Sequence, residues 1–200
     1  IPTMNKFVAQ VKETAKKIGQ RQGREIPICA RVRQTREDNL GYGLDVDTWL
    51  EQGNIDIVVG EVSHELFETG IDASWLADSA NSAGKLAYLR PPLVVYDERA
   101  SRPNIEMYRA LSQTLQTQGF AGMYLGYLPW PLAEPEYQIL REIAYPEASS
   151  QRDKRYILQP EESQDLHIKQ HQQKQAGRQL PIQLEENTTA GLTILVSDKL

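Results

Sequence analysis

From residue 3 to residue 143 the hydrophobic period of this chain switches back and forth. Amphipathic stretches with apolar residues three and four apart alternate with short apolar runs that are too brief for a helix. Few folds accommodate such a pattern. Strands that alternate with helices at regular spacing call for a parallel sheet, because a parallel neighbour is reached through a crossover and not through a tight hairpin. Met4, Phe7, Val8, Val11, Ala15 and Ile18 mark one face of a helix predicted over residues 3–21, and the run 26–32 after Gly23 is the first strand. Asp47 caps a short helix through Trp49 and Leu50, and the β-branched run 55–59 follows as the second strand. Ile71, Trp75, Leu76, Ala80 and Ala83 mark the next helix. Residues 85–89 form the third strand, which ends at Arg90-Pro91-Pro92 because proline has no N–H for a ladder. Pro103 starts a helix carried by Ile105, Tyr108, Leu111 and Leu115, residues 120–127 form the fourth strand, and a helix over 135–143 turns Tyr137, Leu140 and Ile143 inward.

An open doubly wound sheet and a segment of a (β/α) barrel share this alternation. No strand is followed by G-x-G-x-x-G or by a P-loop glycine pattern, which disfavours the nucleotide-binding open sheet and leaves the barrel segment. Beyond Tyr145-Pro146 the composition changes to Gln, Glu, Lys and His with almost no apolar period, a polar linker. Two strands at 181–184 and 192–196, joined by a turn-forming stretch, open a separate β domain. The expected organisation is therefore a barrel portion over 1–147, a linker over 148–179 and the first strands of a β domain over 180–200.

The net charge of −5 opposes a general affinity for nucleic acid, which draws on a basic surface and counterion release. No window approaches the roughly 20 apolar residues of a membrane span. Cys29, the single cysteine, lies in the apolar run Ile26-Pro27-Ile28-Cys29-Ala30 and is expected as a small buried thiol. His167 and His171 are spaced for one helix face, but the glutamate of H-E-x-x-H and a third ligand are missing, so neither a metal nor another cofactor is expected.

Arg31-Val32 followed by Gly41-Tyr42-Gly43-Leu44-Asp45-Val46-Asp47-Thr48-Trp49-Leu50-Glu51-Gln52-Gly53-Asn54-Ile55-Asp56-Ile57-Val58-Val59 resembles a segment of bacterial glycosyl-hydrolase-like (β/α)8-barrel proteins. Leu140-Arg141-Glu142-Ile143 with Asp153-Lys154-Arg155-Tyr156 is similar to the passage by which those proteins leave the barrel and enter a β-sandwich. The resemblance covers roughly residues 25–156. It implies an α/β fold made of the C-terminal half of a TIM-type (β/α)8 barrel followed by the beginning of a β-sandwich domain, with the N-terminal half of the barrel supplied by the same chain. The four strands then correspond to the fifth through eighth, and the ligand face lies at their C-terminal ends.

On that reading the strand ends nominate the site. Arg31 ends the first strand with a fixed fork of donors suited to carboxylates or hydroxyl-rich ligands, the bland alternative being a salt bridge to Glu37 or Asp38. The second strand leads into Gly60-Glu61-Val62-Ser63-His64-Glu65, which brings a carboxylate, Glu61, and an imidazole, His64, to the mouth. Beyond the third strand lie Asp97 and Glu98, and glycoside hydrolysis needs two carboxylates flanking the scissile bond. In the retaining barrel glycosidases that this architecture resembles, the nucleophile ends the seventh strand and the acid/base the fourth. Tyr124, Tyr127 and Trp130 follow the fourth strand and offer flat faces to sugar rings. The expected activity is a glycoside hydrolase with Glu61, Glu98 and Asp97 as catalytic carboxylates and Arg31, His64, Tyr127 and Trp130 on the carbohydrate. A non-catalytic carbohydrate-binding or cell-surface barrel protein is the alternative.

Overall fold

The structure is a computed structural model, and it describes residues 1–62, 66–95, 102–126, 132–143, 145–158 and 188–198. The elements run α1 (Pro2–Gln22), β1 (Cys29–Arg33), α2 (Arg36–Gly41), α3 (Val46–Glu51), β2 (Ile57–Glu61), α4 (Ser74–Ser82), β3 (Leu86–Arg90), α5 (Ile105–Thr117), β4 (Gly122–Met123), α6 (Glu134–Ile143) and α7 (Pro146–Ser150). The four strands form one parallel sheet in the order β1-β2-β3-β4, so the fold is α/β with a parallel sheet. The chain divides into two compact units. One comprises Ile1–Val62, Ala73–Arg90 and Gln118–Tyr124, and the other Ser63–Asp72, Pro91–Thr117 and Leu125–Leu200.

In the first unit the ladder sets Arg31 beside Val59 and Tyr88, and Arg33 beside Glu61 and Arg90. Because side chains alternate along a strand, the two faces of the sheet are chemically different. Val32, Val58, Ala87 and Leu89 line the face that meets α4 and are buried, as is Leu76 of that helix. Full burial of one such leucine contributes about 1.5–3 kcal/mol. Gly60 lies under the helix: a Cβ there would come 2.9 Å from Leu76 Cδ2 and 3.0 Å from Leu89 Cδ1. Glycine lets helix and strand close together. The other face carries Cys29, Arg31, Arg33, Ile57, Val59, Glu61, Leu86, Tyr88 and Arg90, of which Cys29, Arg31 and Leu86 are exposed and Val59 and Arg90 are buried. Cys29 is therefore not the buried thiol expected from its apolar run, since period two turns it away from the helices.

The N-terminal ends of the strands are tied by Asp56. Its Oδ2 accepts from Lys12 Nζ of α1 at 2.6 Å and from the Ile28 backbone N–H at 2.8 Å, and its Oδ1 accepts from Lys85 Nζ at 2.9 Å. Burial alone would raise the Asp56 carboxyl, but the hydrogen bonds from Lys12, Ile28 and Lys85 together outweigh it and hold the carboxyl at about 2. Beside this latch, α1 buries Ala15 and Gly19 and leaves Met4, Phe7 and Ile18 exposed, so part of the apolar face expected to pack inward is open. Trp49 of α3 is buried, and its Nε1 donates to Asn5 Oδ1 at 2.6 Å.

The second unit is organised on α5, whose Met107, Tyr108, Leu111 and Leu115 are buried, with Phe67 meeting Tyr108 edge-on at 5.3 Å between centroids. Glu142 of α6 accepts from Arg109 Nε and from Arg152 Nη1, each at 2.6 Å, and Arg109 also donates to the Asp153 carbonyl at 3.1 Å. These bonds rotate α6 away from its hydrophobic pattern. Ile139 and Glu142 are the buried residues, while Tyr137 and Leu140, expected inward, are exposed. The fourth strand pairs over two residues instead of the expected eight, with Tyr127 outside the described residues. Residues 192–196, expected as a strand, have no ladder partner among the described residues, and 181–184 lie outside them. No helix of the described residues is long and apolar enough to cross a membrane.

Two outcomes are expected. Asp56 contributes stability that is present above the ordinary aspartate range near pH 4 and is lost as pH falls toward 2. Asp56→Asn should therefore cost about 1–2 kcal/mol at pH 7 and flatten the acid limb of stability against pH in that window, as read by urea unfolding across pH. In the second unit, Arg109→Ala removes one of the two guanidinium partners of a buried carboxylate, Arg152 remaining, and should cost about 1–3 kcal/mol in the same assay. The hydrogen bond from Arg109 is foremost in lowering the Glu142 carboxyl, burial acting against it, so this loss is full at neutral pH and shrinks as acid protonates Glu142.

Candidate functional site

At the C-terminal ends of β1, β2 and β3 the open face of the sheet carries a row of ion pairs. Glu61, the last residue of β2, accepts from Arg90 Nη1 on one side at 2.8 Å through Oε1, and meets Arg31 Nε on the other at 3.2 Å through Oε2. The pairs differ in environment. The Arg90 side chain is 8% exposed and that of Arg31 is 55% exposed, with Glu61 between them at 24%. The Arg90 bond is a partly buried, charge-assisted one, whereas an exposed pair such as Arg31–Glu61 is worth at most about 1 kcal/mol and exchanges readily with other partners.

The loop after β1 is fixed so that its arginines are held at the rim. Asn39 of α2, buried, pairs both backbone groups of Arg33: its Oδ1 accepts from Arg33 N and its Nδ2 donates to Arg33 O, each at 2.9 Å. Thr35 caps α2 by accepting from Asp38 N at 3.2 Å. The Arg33 guanidinium then lies over the Tyr42 ring at 5.3 Å from its centroid, a cation–π contact at the surface. Tyr124, exposed, follows β4 and is anchored by its backbone N–H to Leu89 O at 2.8 Å.

Of the residues nominated by the sequence, the fold brings Arg31 and Glu61 together, and Arg31 pairs with Glu61 in place of Glu37 or Asp38. Asp97, Glu98, His64, Tyr127 and Trp130 lie outside the described residues, as do His167 and His171. Arg90 is the member that sequence reasoning missed, because Arg90-Pro91-Pro92 reads first as a strand terminator. Its signal is a cation on an otherwise apolar strand, a position that needs a buried counter-charge. Among the described residues no group of three or more His, Cys, Asp or Glu side chains is arranged to hold a metal ion.

The arrangement is better suited to binding than to acid/base chemistry on Glu61. Both oxygens of that carboxylate are engaged by guanidinium groups, so attack on carbon or proton transfer through either oxygen first requires an ion pair to open. A cavity of about 740 Å³ lies at the opposite ends of the strands among Lys12, Lys16, Arg24, Asp56 and Lys85. There Asp56 already engages Lys12 and Lys85, two of the four cations of the lining. The strand-end row is therefore the candidate site. No protein-family model matches the sequence, and no curated protein matches it significantly.

The two pairs predict unequal costs. Glu61→Gln should lower stability by about 1–3 kcal/mol because Arg90 loses a charged acceptor in a partly buried place. Arg31→Gln should cost less than about 1 kcal/mol. Equal losses in urea unfolding would contradict the division of roles between the two arginines.

Proposed function

We propose that this chain supplies the C-terminal half of a glycoside-hydrolase-like (β/α)8 barrel and acts on a carbohydrate at the C-terminal ends of its strands. The observation that carries this reading is the Arg31–Glu61–Arg90 row, a polar, donor-rich array at the strand ends where barrel enzymes bind their ligands. The sequential strand order β1-β2-β3-β4 agrees with a barrel segment, whereas a doubly wound sheet reverses direction at a switch point. Among the described residues β1 has a strand neighbour on one side only, and α1 leaves Met4, Phe7 and Ile18 exposed. A further strand-helix unit from the missing N-terminal half would cover both. On the same reading the chain continues past the barrel into a β-sandwich.

In this proposal Glu61 positions the ligand-binding arginine, and hydrolysis falls to Glu98 or Asp97 with a second carboxylate from the other barrel half. Aromatic faces at Tyr127 and Trp130, together with His64, complete the sugar contacts. The engagement of both Glu61 oxygens also favours a second reading, a carbohydrate-binding barrel that performs no hydrolysis.

Chromogenic glycosides and oligosaccharides offered to the intact protein distinguish the two. The hydrolase reading expects turnover that falls by at least about a thousandfold in Glu98→Gln or Asp97→Asn. In Glu61→Gln it expects a rise in KM with kcat retained within about tenfold. Sugar binding without turnover in the unaltered protein would establish the second reading, and absence of both would refute the carbohydrate assignment.

A further inference from the structure

Among the described residues three guanidinium groups, that of Arg31 from the middle of β1 and those of Arg33 and Arg90 from the ends of β1 and β3, lie on the face of the sheet that carries the Glu61 carboxylate. Arg90 is committed to Glu61 and buried, so it serves the fold. The other two are not so committed. Arg31 meets its carboxylate through Nε at 3.2 Å on a side chain more than half exposed. Arg33 stands over the Tyr42 ring and has no carboxylate partner among the described residues. A neutral sugar is recognised by groups that both donate and accept, and usually by carboxylates and amides that take its hydroxyl protons. Guanidinium groups only donate, and their planar fork matches a two-oxygen anion.

Resting on the carbohydrate reading above, we infer that the sugar bound at these strand ends is acidic, carrying a carboxylate or a sulfate ester that pairs with Arg31 and is reinforced by Arg33. The weak Arg31–Glu61 pair allows Arg31 to turn to the ligand at little cost and without disturbing Arg90.

The test is calorimetric titration of the purified protein with three sets of oligosaccharides. These are an oligouronate, the same oligouronate methyl-esterified to neutrality, and a sulfated oligosaccharide with its desulfated counterpart. Expected is binding of at least one acidic ligand about ten- to a hundredfold tighter than of its neutral counterpart. That preference should vanish in Arg31→Gln, weaken in Arg33→Gln and decline with added salt. Whether the oligouronate or the sulfated ligand shows the preference identifies the anionic group. Because Arg31 is exposed, Arg31→Gln should stay folded with a loss below about 1 kcal/mol in urea unfolding, which separates lost recognition from lost folding. Equal affinity for acidic and neutral ligands overturns the inference and leaves the carbohydrate reading standing. Failure to bind any of the four removes that reading and the inference with it.

Discussion

Three donors converge on the Asp56 carboxylate, and each comes from a different part of the first unit: Lys12 from the middle of α1, the Ile28 N–H from the approach to β1, and Lys85 from the approach to β3. Asp56 immediately precedes β2, so one carboxylate at the entrance of a central strand sets where both neighbouring strands begin. Parallel strands have no tight turn to fix their register. A hub of this kind supplies that alignment, and the apolar face formed by Val32, Val58, Ala87 and Leu89 can then meet α4 as a continuous surface.

The other end of β2 repeats the device with different chemistry. Glu61 at the exit bridges Arg31 of β1 and Arg90 of β3, so the same central strand is pinned to its neighbours at both ends by carboxylates. The entrance uses lysines that reach in from a helix and a loop, flexible point charges able to adapt to a packed interior. The exit uses arginines on the strands themselves, whose planar forks are held by the ladder and present fixed donors. At the entrance both oxygens of Asp56 are held by partly buried donors. At the exit one of the two partners of Glu61, Arg31, is exposed and weakly held.

Most of this order was legible in the sequence, because helical and strand periods follow directly from the face each element must bury. The first three strands and the longer helices lie where the periods place them, shifted by one to three residues, since ladder pairing and not hydrophobicity decides where a strand starts, while the fourth strand pairs over only two of its eight expected residues. The short helices α2 and α7 have no such period. α2 has six residues and the polar sequence Arg-Glu-Asp-Asn-Leu-Gly, and it exists because Thr35 caps it and Asn39 fastens it to Arg33. The α6 face was misread for a related reason: a buried Glu142 is stabilised by Arg109 and Arg152, partners distant in sequence that no local pattern reveals. Cys29 shows the complementary error. Its apolar run predicts a buried thiol, whereas one face of β1 is open at that position.

The candidate site was legible residue by residue but not as an arrangement. Arg31 and Glu61 follow from the rule that barrel ligands meet strand ends, and that rule treats every polar strand-end residue alike. Only geometry separates their roles. A carboxylate whose two oxygens are both occupied is a scaffold for its partners before it is a reagent, and of those partners the exposed one is free to move. The weak link in the row is thus Arg31, and a ligand anion that draws it outward would also uncover Oε2 of Glu61. Ligand binding and the exposure of a carboxylate oxygen at the strand ends become a single event, which is how the proposed binding role and any part for Glu61 in the chemistry could coexist in one residue.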